Sequence, residues 1–482
     1  MSLMAFVLLL ALASTQSMAD EFSAIRTEIA RRMAGKDAPS LAVAVARNGS
    51  VLWEQGFGWA DRENRVRATE HTCYSLASIS KPITATGLMR LFEAGRVKLD
   101  DPLDSYIAPA RLTAKTGDAR QATVRRVASH SAGLPLHYQF FYHDEPYRPP
   151  PAVETIRRYG ILVMPPGERY SYSNIGYGIL DYLIERVSGR RYSEFMLREV
   201  FLPLGLTRMA AGIPPGMEKQ HAVRYGADQL PIPFYDFDHA GASAIYASAH
   251  DLLRFALFHL KARQRGQKAI LTDASIDEMQ KPAVEINASS GYGIGWNIGR
   301  RRSATVVSHS GGMGGVSTIL LLVPKEKIAV VALSNARSSL PGDIAFRILD
   351  QLLGGGARDS VSHDNTGAFK PSAGYIGDWK GKLETHSGAH LFLLRIRSSG
   401  HIEAKLGEAP WTTVNQPRLD GGYLTGSMAG DVGTEDASRR PHRIQLSLKM
   451  RGNILNGAAT AVSSPGNRAG NALTSWLEVV KQ

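Results

Sequence analysis

The sequence has a single cysteine, Cys73, in 482 residues. No internal disulfide can therefore staple the chain, and its stability has to come from packed cores. In its setting between Thr72 and Tyr74, Cys73 reads as a small buried hydrophobe. No apolar run reaches the roughly 20 residues of a bilayer-spanning helix, so no transmembrane segment is expected. The histidines show no H-E-x-x-H or similar ligand spacing, and neither a metal nor any other cofactor is expected. There is no G-x-S-x-G elbow, which argues against an α/β-hydrolase. The glycines between Gly311 and Gly315 lack the lysine of a phosphate loop, so nucleotide binding is not expected. A formal charge of +12 comes without any Lys/Arg cluster interleaved with aromatics, which excludes nucleic acid as an expected partner. Diffuse positive charge fits acidic cell-envelope polymers nearby, or simply solubility.

What is present is an ordinary globular composition, 44% hydrophobic and 21% charged, in a chain long enough for a large domain and a smaller one. The N-terminus has an apolar stretch from Phe6 to Ala13, then polar residues, then Ser17-Met18-Ala19 before Asp20. That is a short h-region followed by a small-x-small cleavage site, although no Lys or Arg precedes it. Residues 1–19 are expected to be a removed secretory signal, which places the mature protein in the periplasm or outside the cell.

Residues 20–355 read as one α+β domain. An amphipathic helix ends at Gly35, and SLAVAVARNGSVLWEQGFGWAD alternates around Asn48-Gly49 as a hairpin. GYGIGWNI, SATVVSH, VSTILLLVP and KIAVVALSN read as later strands, followed by a helix from about Asp343 to Leu353. Strands at both ends of the domain with helices between them predict an antiparallel sheet, closed by both termini, around a helical insertion. Residues 356–374, rich in Gly and Ser, read as a linker. Residues 375–482 have a β texture, with turns at Ser398-Ser399-Gly400 and Arg451-Gly452-Asn453, and are expected to form a small accessory barrel or sandwich.

Three short patterns carry chemistry. Ser78 precedes Lys81 by three residues at the start of an apolar helix, and no other lysine has a serine at that spacing. Positions i and i+3 share a helix face, so the amine can reach the hydroxyl; Pro82 is tolerated only in the first turn, which fixes the helix start. Tyr172 and Asn174, two apart before a second amphipathic helix, project the same way, so one can shuttle a proton while the other binds an amide. His309-Ser310-Gly311 ends or crosses a strand, with Gly312 beyond it leaving room for a substrate against the backbone. A second HSG, at His386-Ser387-Gly388, lacks the strand context and reads as a turn.

In this order and setting, S-x-x-K, Y-x-N and H-x-G resemble the serine β-lactamase and penicillin-recognising hydrolase superfamily. The nearest branch holds class C β-lactamases, D-alanyl-D-alanine carboxypeptidases, D-aminopeptidases and β-lactamase-like esterases. The resemblance covers about Ala24 to Leu353 and includes SHSAGLP, PPGERYSYSN, SAIYASAHDLLRF and GYGIGW. It implies a β-lactamase/transpeptidase-like antiparallel sheet flanked by helices with a helical insertion; the β pattern of residues 375–482 is expected to give a lipocalin-like barrel or sandwich beside it. It also implies that Ser78 is the acylated nucleophile, Lys81 its base partner, Tyr172 a general base or proton relay, and Asn174 a substrate-positioning group. His309, Ser310 and Gly311 form the third motif, and the backbone N–H groups of Ser78 and Gly312 form the oxyanion hole, each worth roughly 3 kcal/mol. Either Lys81 or Tyr172 can serve as the base. The implied activity is serine hydrolysis of a D-amino peptide or ester, with a β-lactamase or a non-catalytic penicillin-binding protein as alternatives. The substrate is a small molecule or peptide, which cell-wall material would supply. Histidine in place of the usual third-motif lysine weakens the expected grip on a substrate carboxylate. His130 and Ser131 are expected to shape a turn beneath the site. Tyr138, Phe140, Phe141, Tyr142 and Tyr147 either wall the cleft or pack within their loop, and Tyr246 is expected in the cleft.

Overall fold

The computed structural model describes residues 21–214, 217–355 and 369–482. The expected signal at 1–19 and most of the expected linker lie outside these residues. Nine antiparallel strands form the first sheet, and the strand Ser40–Arg47 lies between Ile328–Ser334 and Ser50–Asp61. Leu41 is opposite Ser334, so the two ends of the domain meet in mid-sheet, as expected. Along Ser40–Arg47, Leu41, Val43 and Val45 pack toward the helices Ser23–Ala34 and Leu340–Leu352. Ala42, Ala44 and Ala46 face the helical insertion on the other side. With both faces covered, the strand reads as a continuous apolar run, and each fully buried Val or Leu contributes roughly 1.5–3 kcal/mol.

Two helices of the insertion carry the first two motifs. Ser80–Glu93 has Pro82 in its first turn and stops where Gly95, at φ +67°, donates its N–H to the Phe92 carbonyl at 2.9 Å. Asn174–Ser188 is capped by Ser173 Oγ, which accepts the Gly176 N–H at 3.1 Å, and ends at Gly189 with φ +72°.

Two details differ from expectation. GYGIGWNI is not one strand: Ser290–Tyr292 and Asn297–Arg301 pair as a hairpin, with Gly293 N–H donating to the Trp296 carbonyl at 2.8 Å. Its turn needs Gly295 at φ +85°, where a Cβ would press to 2.8 Å from both Ala85 Cβ and Pro82 Cα on the Ser80–Glu93 helix. The last helix starts at Leu340 rather than Asp343, with Pro341 in its first turn.

The second domain is a nearly closed antiparallel barrel rather than a sandwich. Its nine strands form one sheet whose outermost members, Thr412–Thr413 and Asn415–Asp420, are separated only by Val414. Its interior is apolar, with Trp379, Phe392, Ile402, Ile444, Leu448 and Leu477 buried. The second HSG is the turn between Gly377–Thr385 and Gly388–Ile396, as expected. The barrel docks on the first domain through backbone pairing: Tyr138 and Ala472 exchange N–H···O bonds of 3.0 and 2.8 Å. Thr474 Oγ1 donates to the Leu136 carbonyl at 2.6 Å, and Asp436 accepts from Tyr159 at 2.7 Å and Arg158 at 2.9 Å. Among the described residues, no helix is long and apolar enough to cross a membrane.

Candidate active site

Ser78 lies in a single 3₁₀ turn, Ala77–Ile79, just ahead of the Ser80–Glu93 helix. Ala77 before it takes φ +48°, a strained value for a residue with a Cβ. The strain is held by neighbours on three elements. Thr318 Oγ1 donates to the Leu76 carbonyl at 2.9 Å, Leu76 N–H donates to the Ile245 carbonyl at 2.9 Å, and Ser80 Oγ accepts from Ile245 N–H at 3.0 Å. Ser78 is partly exposed and faces a cavity of about 520 Å³, also lined by Tyr172, Asn174 and Gly312.

Lys81 is completely buried, and burial pushes its pKa well below the ordinary lysine value. Its Nζ lies 2.7 Å from Asn174 Oδ1, 3.3 Å from the Ala242 carbonyl and 3.2 Å from Ser78 Oγ. The first two atoms only accept, so they take both hydrogens of a neutral amine. The nitrogen lone pair is then left toward Ser78, as a base for its hydroxyl requires.

Tyr172 is half-buried on the cavity wall and hydrogen-bonds Ser78; desolvation raises its phenol well above the usual tyrosine range, with the Ser78 bond opposing. It therefore stays protonated and can give a proton rather than take one. Lys81 Nζ sits 4.7 Å from the centre of its ring. His309 donates Nδ1–H to the Ser310 carbonyl at 2.7 Å and accepts at Nε2 from Tyr292 hydroxyl at 2.9 Å. Burial first, and Lys81 second, lower its pKa to about 3. The third motif thus presents a neutral imidazole at any physiological pH.

The strand of that motif, Ala304–Met313, is internal in the sheet order. Its pairing with Asn297–Arg301 ends at Asn297 opposite Ser308, so residues 309–313 have a sheet partner on one side only. On this strand an open edge is thus present only at the motif. Gly311 is required by contact: a Cβ there would overlap the Leu76 carbonyl and Thr318 Oγ1. Gly311→Ala is expected to destabilise the protein by about 3 kcal/mol and to lower turnover at least about 100-fold, because the strained turn must move. Thermal melts and ester hydrolysis check this together.

A sequence profile of the β-lactamase family matches residues 25–353. The chain belongs to the β-lactamase family. Penicillin-binding protein 4* of Bacillus subtilis (strain 168) is 26% identical over 319 residues, 61% of this chain and 67% of that protein. Protein flp of Staphylococcus aureus (strain N315) is 24% identical over 307 residues. The match covers 62% of this chain and 60% of flp, so it spans under two thirds of that relative's length. Among solved structures, SurE superposes with a TM-score of 0.66 at 21% identity, covering 94% of this chain and 99% of that one. The octameric penicillin-binding protein homologue from Pyrococcus abyssi gives 0.60 at 21%, covering 93% and 98%. The class C β-lactamase from Rhodobacter sphaeroides gives 0.56 at 21%, with 70% and 98% covered. These likenesses establish the fold, including the barrel where coverage extends to it.

Within this β-lactamase-family domain, Ser78, Lys81, Tyr172 and Asn174 converge, with Gly312 on the same cavity. His309 is buried and Ser310 exposed. His130 does shape the turn beneath the site: its carbonyl accepts from Ser171 at 2.7 Å, and its Nδ1 from Ser173 N–H at 3.2 Å. Its ring also lies 4.4 Å from that of Tyr172, so it supports that side chain from beneath. Of the aromatic run, Tyr138 and Phe140 line the cavity. Phe141 and Tyr147 stack on Arg439 of the barrel, while Tyr142 is buried against Tyr235. Tyr246 is not in the cleft but is buried beneath His221, its hydroxyl bound by Arg224. Cys73 is buried as expected, and burial pushes its thiol up to about 12.

Several cavity residues carry no local sequence signature. The barrel loop between Ile454–Ser463 and Ala472–Lys481 forms one wall, with Ala469 against Gly314 and Arg468 paired to Asp144 and Glu145. Arg337 and His239 line the cavity as well. Arg337 is exposed, stands over Gly312, and makes no ion pair among the described residues.

Proposed function

We propose that this chain is an exported serine hydrolase that cleaves amide or ester substrates through an acyl-enzyme on Ser78, with D-amino peptides or short carboxylic esters as its substrate class. The observation that carries this reading is the buried Lys81 Nζ 3.2 Å from Ser78 Oγ, with Asn174 Oδ1 and the Ala242 carbonyl accepting from the same amine. Lys81 takes the Ser78 proton as Oγ attacks the substrate carbonyl. The tetrahedral oxyanion then falls to the backbone N–H groups of Ser78 and Gly312. Tyr172, protonated and bonded to Ser78, passes a proton to the leaving group. Water reverses these transfers to release the acid. A protein that only bound ligand would have no use for a desolvated lysine beside a strained serine.

Neutral His309 supplies no charge for a substrate carboxylate, whereas Arg337 stands free at the rim. Arg337→Ala is expected to raise KM for a D-alanyl-D-alanine peptide about tenfold, with kcat within about twofold and uncharged esters unaffected. SurE has been solved with D-Leu, which favours D-amino substrates over cephalosporins here. The deciding experiment compares D-amino peptides, short-chain p-nitrophenyl esters and nitrocefin on purified protein, with Ser78→Ala as blank. Steady nitrocefin turnover exceeding peptide and ester hydrolysis would replace this reading with a β-lactamase.

A further inference from the structure

A buried chain of three titratable groups opens on the same cavity and has no part in the steps above. His239 lines the cavity with Ser78 yet is only 1% exposed. Its Nδ1 lies 2.6 Å from Asp238 Oδ1, and Asp238 Oδ2 lies 2.6 Å from His137 Nε2. The side chains of Asp238 and His137 are sealed from solvent. Burial pushes the Asp238 carboxyl upward, but the two histidines outweigh it and hold it well below the usual range. Burial lowers His239, against the pull of Asp238, so the imidazole is neutral.

The tautomer follows from the partners. An ionised carboxylate only accepts, so His239 donates Nδ1–H to Asp238 and keeps its lone pair on Nε2. That nitrogen has no partner among the described residues and is not among the sealed polar atoms. His309 makes the contrast: both of its nitrogens are satisfied within the protein. His239 does not end this way. Instead, an acceptor backed by a buried negative charge faces the cleft, with the rings of Phe237 and Phe140 5.4 and 6.3 Å from its own.

We propose that His239 is the receptor for a protonated amine of the substrate, with Asp238 and His137 as the residues that hold its tautomer. The preferred substrates are then amides or esters of amino acids whose α-amino group is free. This inference rests on the reading of the cleft as a hydrolase site, and a binding measurement separates the two. Calorimetry on the full-length Ser78→Ala protein compares D-alanine p-nitroanilide with its N-acetyl derivative at neutral pH. The free amine is expected to bind about tenfold more tightly, the preference falling within about twofold in Ser78→Ala His239→Ala. In Ser78→Ala His239→Gln, which keeps an acceptor, part of the preference is expected to remain. Unchanged affinity for the acetylated ligand shows that each variant is folded. Equal affinity for the two ligands in Ser78→Ala, no binding of either, or a preference that survives His239→Ala overturns the proposal. A burst of acylation in the wild-type protein would leave the hydrolase reading standing in each of those cases.

Discussion

Ser78→Ala is expected to lower kcat/KM on a p-nitrophenyl ester by about 10⁴-fold or more, with no burst phase remaining. The size follows from geometry. Among the described residues, Ser78 Oγ is the one hydroxyl that meets both the Lys81 amine and the Tyr172 phenol while facing the cavity. Nothing replaces it: Ser80 Oγ is buried and already accepts from Ile245. The variant removes a partly exposed hydroxyl from a packed turn, so its melting temperature is expected to stay within a few degrees of wild type. A variant that melts normally yet hydrolyses the ester at the wild-type rate would show that another group is the nucleophile.

Lys81→Met is expected to reduce turnover about 10³-fold, and to change the pH dependence of stability as well. Burial depresses the folded pKa of Lys81 well below its ordinary value. Between that depressed pKa and the unfolded value of about 10.4, the unfolded chain binds a proton that the folded chain does not, so stability falls as pH falls, by about 1.4 kcal/mol per unit. Methionine abolishes this loss. The stability of Lys81→Met relative to wild type is therefore expected to improve steadily from pH 10 toward the depressed pKa. Melts across this range check it, and parallel curves would mean that Lys81 folds as a cation. The wild-type rate should fall on the acid side as Lys81 protonates; His309, already down at about 3, adds no step near neutrality.

The parts of the site legible in the sequence are those set by local geometry. S-x-x-K places Lys81 one turn past Ser78, Y-x-N puts two groups on one side of a helix start, and alternating runs around Asn48-Gly49 and Arg451-Gly452-Asn453 are hairpins. GYGIGWNI misled because its glycines serve a turn packed on the Ser78 helix, a long-range contact with no period of its own. His239, Arg337 and the barrel loop after Ser463 reach the cavity only through tertiary packing, each from a segment without repeat or motif. His130 was legible as a turn, but its packing against Tyr172 was not, because two chain segments must first meet. The choice between Lys81 and Tyr172 as base also needed coordinates, since burial and hydrogen-bond partners decide which proton is lost.

The most direct measurement is intact-mass analysis after brief exposure to a fluorophosphonate, followed by peptide mapping, on wild type and Lys81→Met. A single adduct on the peptide carrying Ser78 is expected, forming at least about 100-fold more slowly in the variant. An adduct on another residue, or equal rates in the two proteins, would contradict activation of Ser78 by the buried amine.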